Sequence, residues 1–156
     1  MPSRKALPML KLSPEIQELV NASLTSGNPM LFAAVDKDNK PVLSFRGSTQ
    51  VYGDDQLSFW LRNTGGNTVE AIRHNPNVAF MYRSATTPLL QFKGRARIAT
   101  DEAERKKVFE AAPEREQQSD PERKGLAVIV DLDAVEGVLS FGPNGPNFVR
   151  LSRTGS

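Results

Sequence analysis

Arg46, Trp60, Arg62, Asn67 and Thr68 are the residues of this sequence whose types and spacing could do chemistry. They fall within RGSTQVYGDDQLSFWLRNTGGNTVEAIRHNP, residues 46–76. Arg46 sits inside an apolar strand pattern, and Trp60 and Arg62 share one face of a later strand. The pair Gly65-Gly66 then leads into a short helical pattern opened by Asn67 and Thr68. Two cations beside a helix start, where backbone N–H groups lack intrahelical partners, suit a phosphate-bearing ligand. Gly47, Ser48 and Thr49 are small enough to let a flat molecule approach the backbone. Each feature also has a plainer reading. Arg46 could make a structural salt bridge, Gly47 a β-bulge, and residues 65–68 an ordinary loop with a helix cap. There is no P-loop lysine and no G-x-G-x-x-G, so no established nucleotide fingerprint applies.

A scaffold of hairpins must position these residues. Ser13-Pro14 reads as a helix start: a side-chain cap, then a proline whose missing N–H costs nothing there. Ile16, Leu19, Val20 and Leu24 fall on one helical face, and Gly27 supplies the stop. From Met30 the period changes to two. Residues 30–36 and 41–49 read as a hairpin around KDNK, and 50–61 as a second hairpin turning at Gly53-Asp54. Leu57, Phe59 and Leu61 then face one way, Ser58, Trp60 and Arg62 the other. A helix over 68–74 follows, with Asn67 and Glu70 spaced as a capping-box variant and Asn75-Pro76 as its end.

Strands over 78–83 and 89–100 come next. The second turns Leu90, Phe92, Gly94, Ala96 and Ile98 inward, and Gln91, Lys93, Arg95 and Arg97 outward. A helix capped by Asp101 runs to about Ala112, and 113–125 reads as a loop or broken helix. Residues 126–142 give two closing strands, 143–156 a turn-rich C-terminal tail, and 1–12 an irregular N-terminal arm. Six or more strands in meander order, with helices between them, imply a mainly β (α+β) fold. Its form would be a closed or nearly closed antiparallel barrel, in a single domain over 1–156.

Composition removes several function classes. The 156 residues include no cysteine, which excludes disulfides, thiolate catalysis and cysteine-bound metal. One histidine, His74, cannot build a histidine-rich metal site or a classical triad within one chain. A net charge of +2 is far from that of a dedicated nucleic-acid binder. The stripe of Lys93, Arg95 and Arg97 could track a phosphate backbone, but it lacks interleaved aromatics and suits a solvated face. Asp131 and Asp133 share a strand face with nothing nearby for acid–base work. No apolar run is long enough for a signal peptide or a membrane span, so a cytoplasmic protein is expected.

Taken together, Arg46, FWLRN, TGGNT and HNP resemble, in order and spacing, the FMN-binding split-barrel family of pyridoxamine 5′-phosphate oxidase-like proteins. The resemblance covers about residues 30–142. It implies a six-stranded antiparallel split β-barrel with flanking helices, FMN as cofactor, and a homodimer with cofactor sites at the interface. It further implies that Arg46 binds the FMN phosphate, while Gly47, Ser48 and Thr49 line the isoalloxazine through their backbone. Leu61 and Arg62 fall where the family's strand end touches the cofactor, and Trp60 would add a wall beside them. Asn67-Thr68 stands where the oxidases proper carry Arg-Lys, so a hydroxyl and helix N–H groups would replace that charge. Gln91 is offset by two residues from a cofactor-contacting glutamine, which keeps it on the same face. The oxidases' C-terminal substrate segment is not visible, which points to a related reductase acting on an unidentified small molecule. No catalytic residue and no metal ligand is assigned. The alternatives are a split barrel for the deazaflavin F420 or heme, a non-catalytic FMN carrier or sensor, and a nucleic-acid-binding barrel using the 93–97 stripe.

Overall fold

A computed structural model describes residues 10–153. Their strands form one antiparallel sheet in the order β2-β1-β5-β6-β7-β4-β3, with β8 added on β7. The strands are β1 (Met30–Val35), β2 (Pro41–Arg46), β3 (Gln50–Gly53), β4 (Gln56–Leu61), β5 (Asn77–Arg83), β6 (Leu89–Ala99), β7 (Leu126–Gly142) and β8 (Gly145–Ser152). The helices are α1 (Pro14–Asn21), α2 (Asn67–His74), α3 (Glu102–Ala111) and α4 (Glu114–Gln118).

The sheet curls around a phenylalanine core. Phe32 on β1 meets Phe59 on β4 at 5.0 Å between ring centroids and Phe80 on β5 at 5.1 Å. Since β1 and β4 are not neighbours in the sheet, that contact crosses the barrel. These rings and Phe92 are fully buried, each removing enough apolar surface for about 1.5–3 kcal/mol. The alternation expected for β6 is present, with Leu90, Phe92, Gly94 and Ala96 buried and Lys93, Arg95 and Arg97 exposed. At Gly94 the ladder shifts register, and a Cβ there would collide with the Asp131 carbonyl. Leu10 and Leu12, the described end of the expected arm, are buried in the core; residues 1–9 of that arm lie outside the described residues.

Several expectations need correction. The strands are eight rather than six, and their order is not a simple meander, because β4 pairs with β7 rather than β5. Residues 126–142 form a single 17-residue strand. Its glycine at 137 is carried within the ladder instead of making a turn. The expected tail contains β8, paired with β7 from Ala134 to Gly142. Helix α2 is capped by Gly66, and Asn67 lies inside it with no side-chain cap, so the capping box does not form.

Elsewhere local chemistry acts as expected. Ser13 accepts a hydrogen bond from the Ile16 N–H at 3.3 Å, and Asp101 accepts one from Glu104 at 3.0 Å. Both edge strands of the curled sheet, β2 and β3, meet at the three-residue turn 47–49. The candidate site sits at that seam.

Candidate functional site

Strand β2 alternates exposed Pro41, Leu43 and Phe45 with half-buried Val42, Ser44 and Arg46. Alternation therefore sends the Arg46 side chain inward at the open end of the barrel. Its Cζ stands 5.7 Å from the Phe32 ring centroid and 5.5 Å from that of Phe59. Nη2 donates to Thr68 Oγ1 at 2.7 Å. Nε is buried without a hydrogen-bond partner, as is the hydroxyl of Ser44 two residues earlier. Among the described residues no carboxylate pairs with Arg46, and burial pushes its guanidinium below its ordinary pKa. The plainer reading of Arg46 as one half of a salt bridge is thereby removed. A desolvated cation with one neutral partner is costly to the fold, and an arriving anion would offset that cost.

Thr68 is positioned by α2, whose Val69 and Ile72 anchor it on the core. Its hydroxyl is buried in the helix's first turn, close to free backbone N–H groups. Asn67, one residue earlier, is exposed, and neither it nor Thr68 lines the cavity described next.

The turn after Arg46 is held from within. Ser48 Oγ donates to the Trp60 carbonyl at 3.1 Å and accepts from the Trp60 N–H at 2.9 Å. Thr49 Oγ1 donates to the Arg46 carbonyl at 2.7 Å. Ser48 ties the turn to β4 and Thr49 ties it back to β2, and Gly47 ahead of them presents backbone to the cavity. A cavity of about 430 Å³ lies against it, lined by Phe45, Arg46, Gly47, Ser48, Trp60, Arg62, Asn63 and Glu116. That volume is within the range of small-molecule sites.

The remaining expected site residues divide. Arg62 lines the cavity, and Leu61 is buried in the core instead. Trp60 borders the cavity, but its indole is 4% exposed and packs 5.0 Å from Phe109 beneath α3. Its Nε1 donates to Asp120 at 2.8 Å, so the ring is fixed as structure and is not a free wall. Gln91 lies on the outer face of β6, 3.4 Å from Glu136, and borders a separate shallow pocket with Leu31, Leu43 and Met81. His74 is exposed on the last turn of α2, outside the cavity. Sequence reasoning missed Phe45, Asn63 and Glu116. The first two could have been found as direct neighbours of Arg46 and Arg62. Glu116 comes from a polar run with no distinguishing spacing, and nothing local marks it.

The sequence profile of the pyridoxamine 5′-phosphate oxidase family matches residues 12–137. The chain belongs to this family. Among solved structures, HupZ of Group A Streptococcus is 21% identical with a TM-score of 0.62, covering 87% of this chain and 98% of its own. General stress protein 26 from Bacillus anthracis str. Sterne is 18% identical with a TM-score of 0.60, covering 88% and 99%. A Clostridium acetobutylicum protein related to general stress protein 26, of the pyridoxinephosphate oxidase family, is 11% identical with a TM-score of 0.60, covering 87% and 95%. At these identities the likeness establishes the split-barrel fold. No functionally curated protein is significantly similar to the chain.

Proposed function

We propose that the chain is an FMN-binding flavoprotein, working as a homodimer, that passes hydride or electrons between bound flavin and a small molecule. The observation that carries this reading is Arg46: a half-buried cation with an unpartnered Nε and no carboxylate, beside a hydroxyl in the first turn of a helix. Such an arrangement fits a phosphate, which can take a charge-assisted bond from Arg46 along with bonds from Thr68 and the helix N–H groups. Gly47 contributes only backbone to the cavity wall, which a flat ring can approach where Glu116 and Leu24 do not cover it. FMN when bound supplies the redox chemistry. The chain's own residues bind the phosphate, fix the ring against the 47–48 backbone and screen it from water.

A second copy is supported by the outer face of the sheet. Leu43 and Phe45 on β2 are 65% and 67% exposed, and Phe148 on β8 is 70% exposed. They share that face with Leu89, and half-buried Leu31 and Met81 lie across from Phe45 in register. An apolar face of this extent on a soluble protein marks an interaction surface. Phe45 belongs both to this face and to the cavity lining, so a partner on the face would also wall the site. Gln91 on the same face would then be within reach of the partner's cofactor. The basic stripe of β6 gives no support to nucleic-acid binding, because each of its cations is paired with a carboxylate.

The flavin reading is tested by the absorbance spectrum of the protein as purified and by titration with FMN. Flavin bands, or quenching of FMN fluorescence on binding, support it; a colourless protein that takes up no added FMN overturns it. Sedimentation of wild type and Phe45→Glu tests the dimer, which the charge should dissociate.

A further inference from the structure

The cavity has an acceptor end as well as a cationic one. Glu116, on α4, reaches over the 47–49 turn until its Oε1 stands 2.9 Å from where a Cβ on residue 47 would be. A methyl group there would crowd both the carboxylate and the Leu24 side chain, which is 3.1 Å away on the same side. The Glu116 side chain is 18% exposed, and its one charged partner is Arg62, whose Nε is 3.8 Å away. That separation is longer than a hydrogen bond, and no hydrogen bond from another described residue reaches this carboxylate. A carboxylate offers about four lone-pair sites, and those of Glu116 are left open to the cavity. Arg46 has the opposite shortage, a donor without an acceptor. Between them lies the bare backbone of Gly47.

We propose that Glu116 is a ligand-recognition residue, accepting a hydrogen bond from a ring N–H of the molecule whose phosphate Arg46 holds. The cavity then selects phosphate esters of flat heterocycles that carry an N–H at the ring edge, and discriminates against those alkylated there. This rests on the flavin reading above and adds a polarity to it. The anion lies at the β2 end and the donor edge lies under α4.

FMN and its N3-methyl derivative provide the test, because methylation removes the oxidised ring's N–H and leaves the phosphate unchanged. Both are titrated into wild type, Glu116→Gln and Glu116→Ala, followed by flavin fluorescence, with far-UV circular dichroism as the check on folding. Wild type should bind the methylated flavin at least ~10-fold more weakly than FMN, the scale of one hydrogen bond to a charged group. Glu116→Gln should keep part of that preference through its amide oxygen, and Glu116→Ala should abolish it. Equal binding of the two flavins by wild type overturns the inference, as does an undiminished preference in folded Glu116→Ala. Arg46→Ala separates the two readings. If it weakens FMN binding while the Glu116 variants leave the preference untouched, only the role of Glu116 fails. If wild type binds no FMN, both fail.

Discussion

Arg46 on β2 and the basic stripe on β6 place cations at alternating strand positions of the same sheet, yet their charge is handled in opposite ways. Lys93, Arg95 and Arg97 are exposed, and each lies within reach of a carboxylate: Glu136 at 3.5 Å, Asp133 at 3.3 Å and Glu104 at 2.6 Å. Arg46 is drawn inward over two phenylalanine rings and is given one hydroxyl. Cations that are already paired in water contribute little and ask for nothing. The cation left short of an acceptor in a desolvated place is the one we propose to meet the ligand. Three charges at alternating positions are the more visible feature in the sequence, and the single arginine ahead of Gly47 and Ser48 is the one without a carboxylate partner among the described residues.

The contrast breaks first at Arg46. Arg46→Ala should weaken FMN by about 1.5–3 kcal/mol, roughly 10- to 150-fold, in a fluorescence titration. Its melting temperature should hold or rise, since a desolvated, unpaired charge has been removed. Thr68→Val sharpens the comparison by taking away only the hydroxyl partner. A loss of about 1 kcal/mol, or roughly fivefold in affinity, is expected, and an unchanged affinity would show that Thr68 serves only to hold Arg46. Neutralising Lys93, Arg95 and Arg97 together should change FMN affinity by less than about twofold, and each exposed pair should be worth only about 0.2–1 kcal/mol in thermal unfolding. A large affinity loss in that triple variant would mean the stripe faces the cofactor, across a dimer interface.

Asp120 offers a pH test of a polar group whose needs are met. Burial works to raise its pKa. The hydrogen bonds from Trp60, Gly125 and Lys124, with the Lys124 charge, outweigh this and hold it below the ordinary value. A folded-state value below the unfolded one means that its contribution is complete above about pH 4 and is lost as pH falls through the folded value. Trp60, the single tryptophan, reports on it directly. Its emission should shift on acidification below about pH 4, and that shift should be absent in Asp120→Ala, where the bond is already gone.

Period and punctuation settled much of this chain in advance. The Ser13 and Asp101 caps, the inward row of β6, the opposed faces of Leu57, Phe59 and Leu61 against Trp60, and the C-terminal end of α2 all follow from interactions within a few residues. So did the placement of Arg46 beside small residues and ahead of a helix start. The errors came where the deciding partner is far away. Residues 126–142 continue as one strand because β4, β6 and β8 all pair along them. Trp60 shares a face with Arg62, but α3 and Asp120 claim its ring. Thr49 and Ser48 were legible as small residues, though not as the ties that hold the turn to β2 and β4.

The sequence by itself determined the β-rich class and the family, because alternation and turn chemistry are local and the family pattern is written in order and spacing. Tertiary structure alone decided that Arg46 lacks an anionic partner and that Glu116, 70 positions later, lies over the backbone of Gly47. Whether a charge is satisfied depends on every element folded against it, and no spacing along the chain encodes that sum.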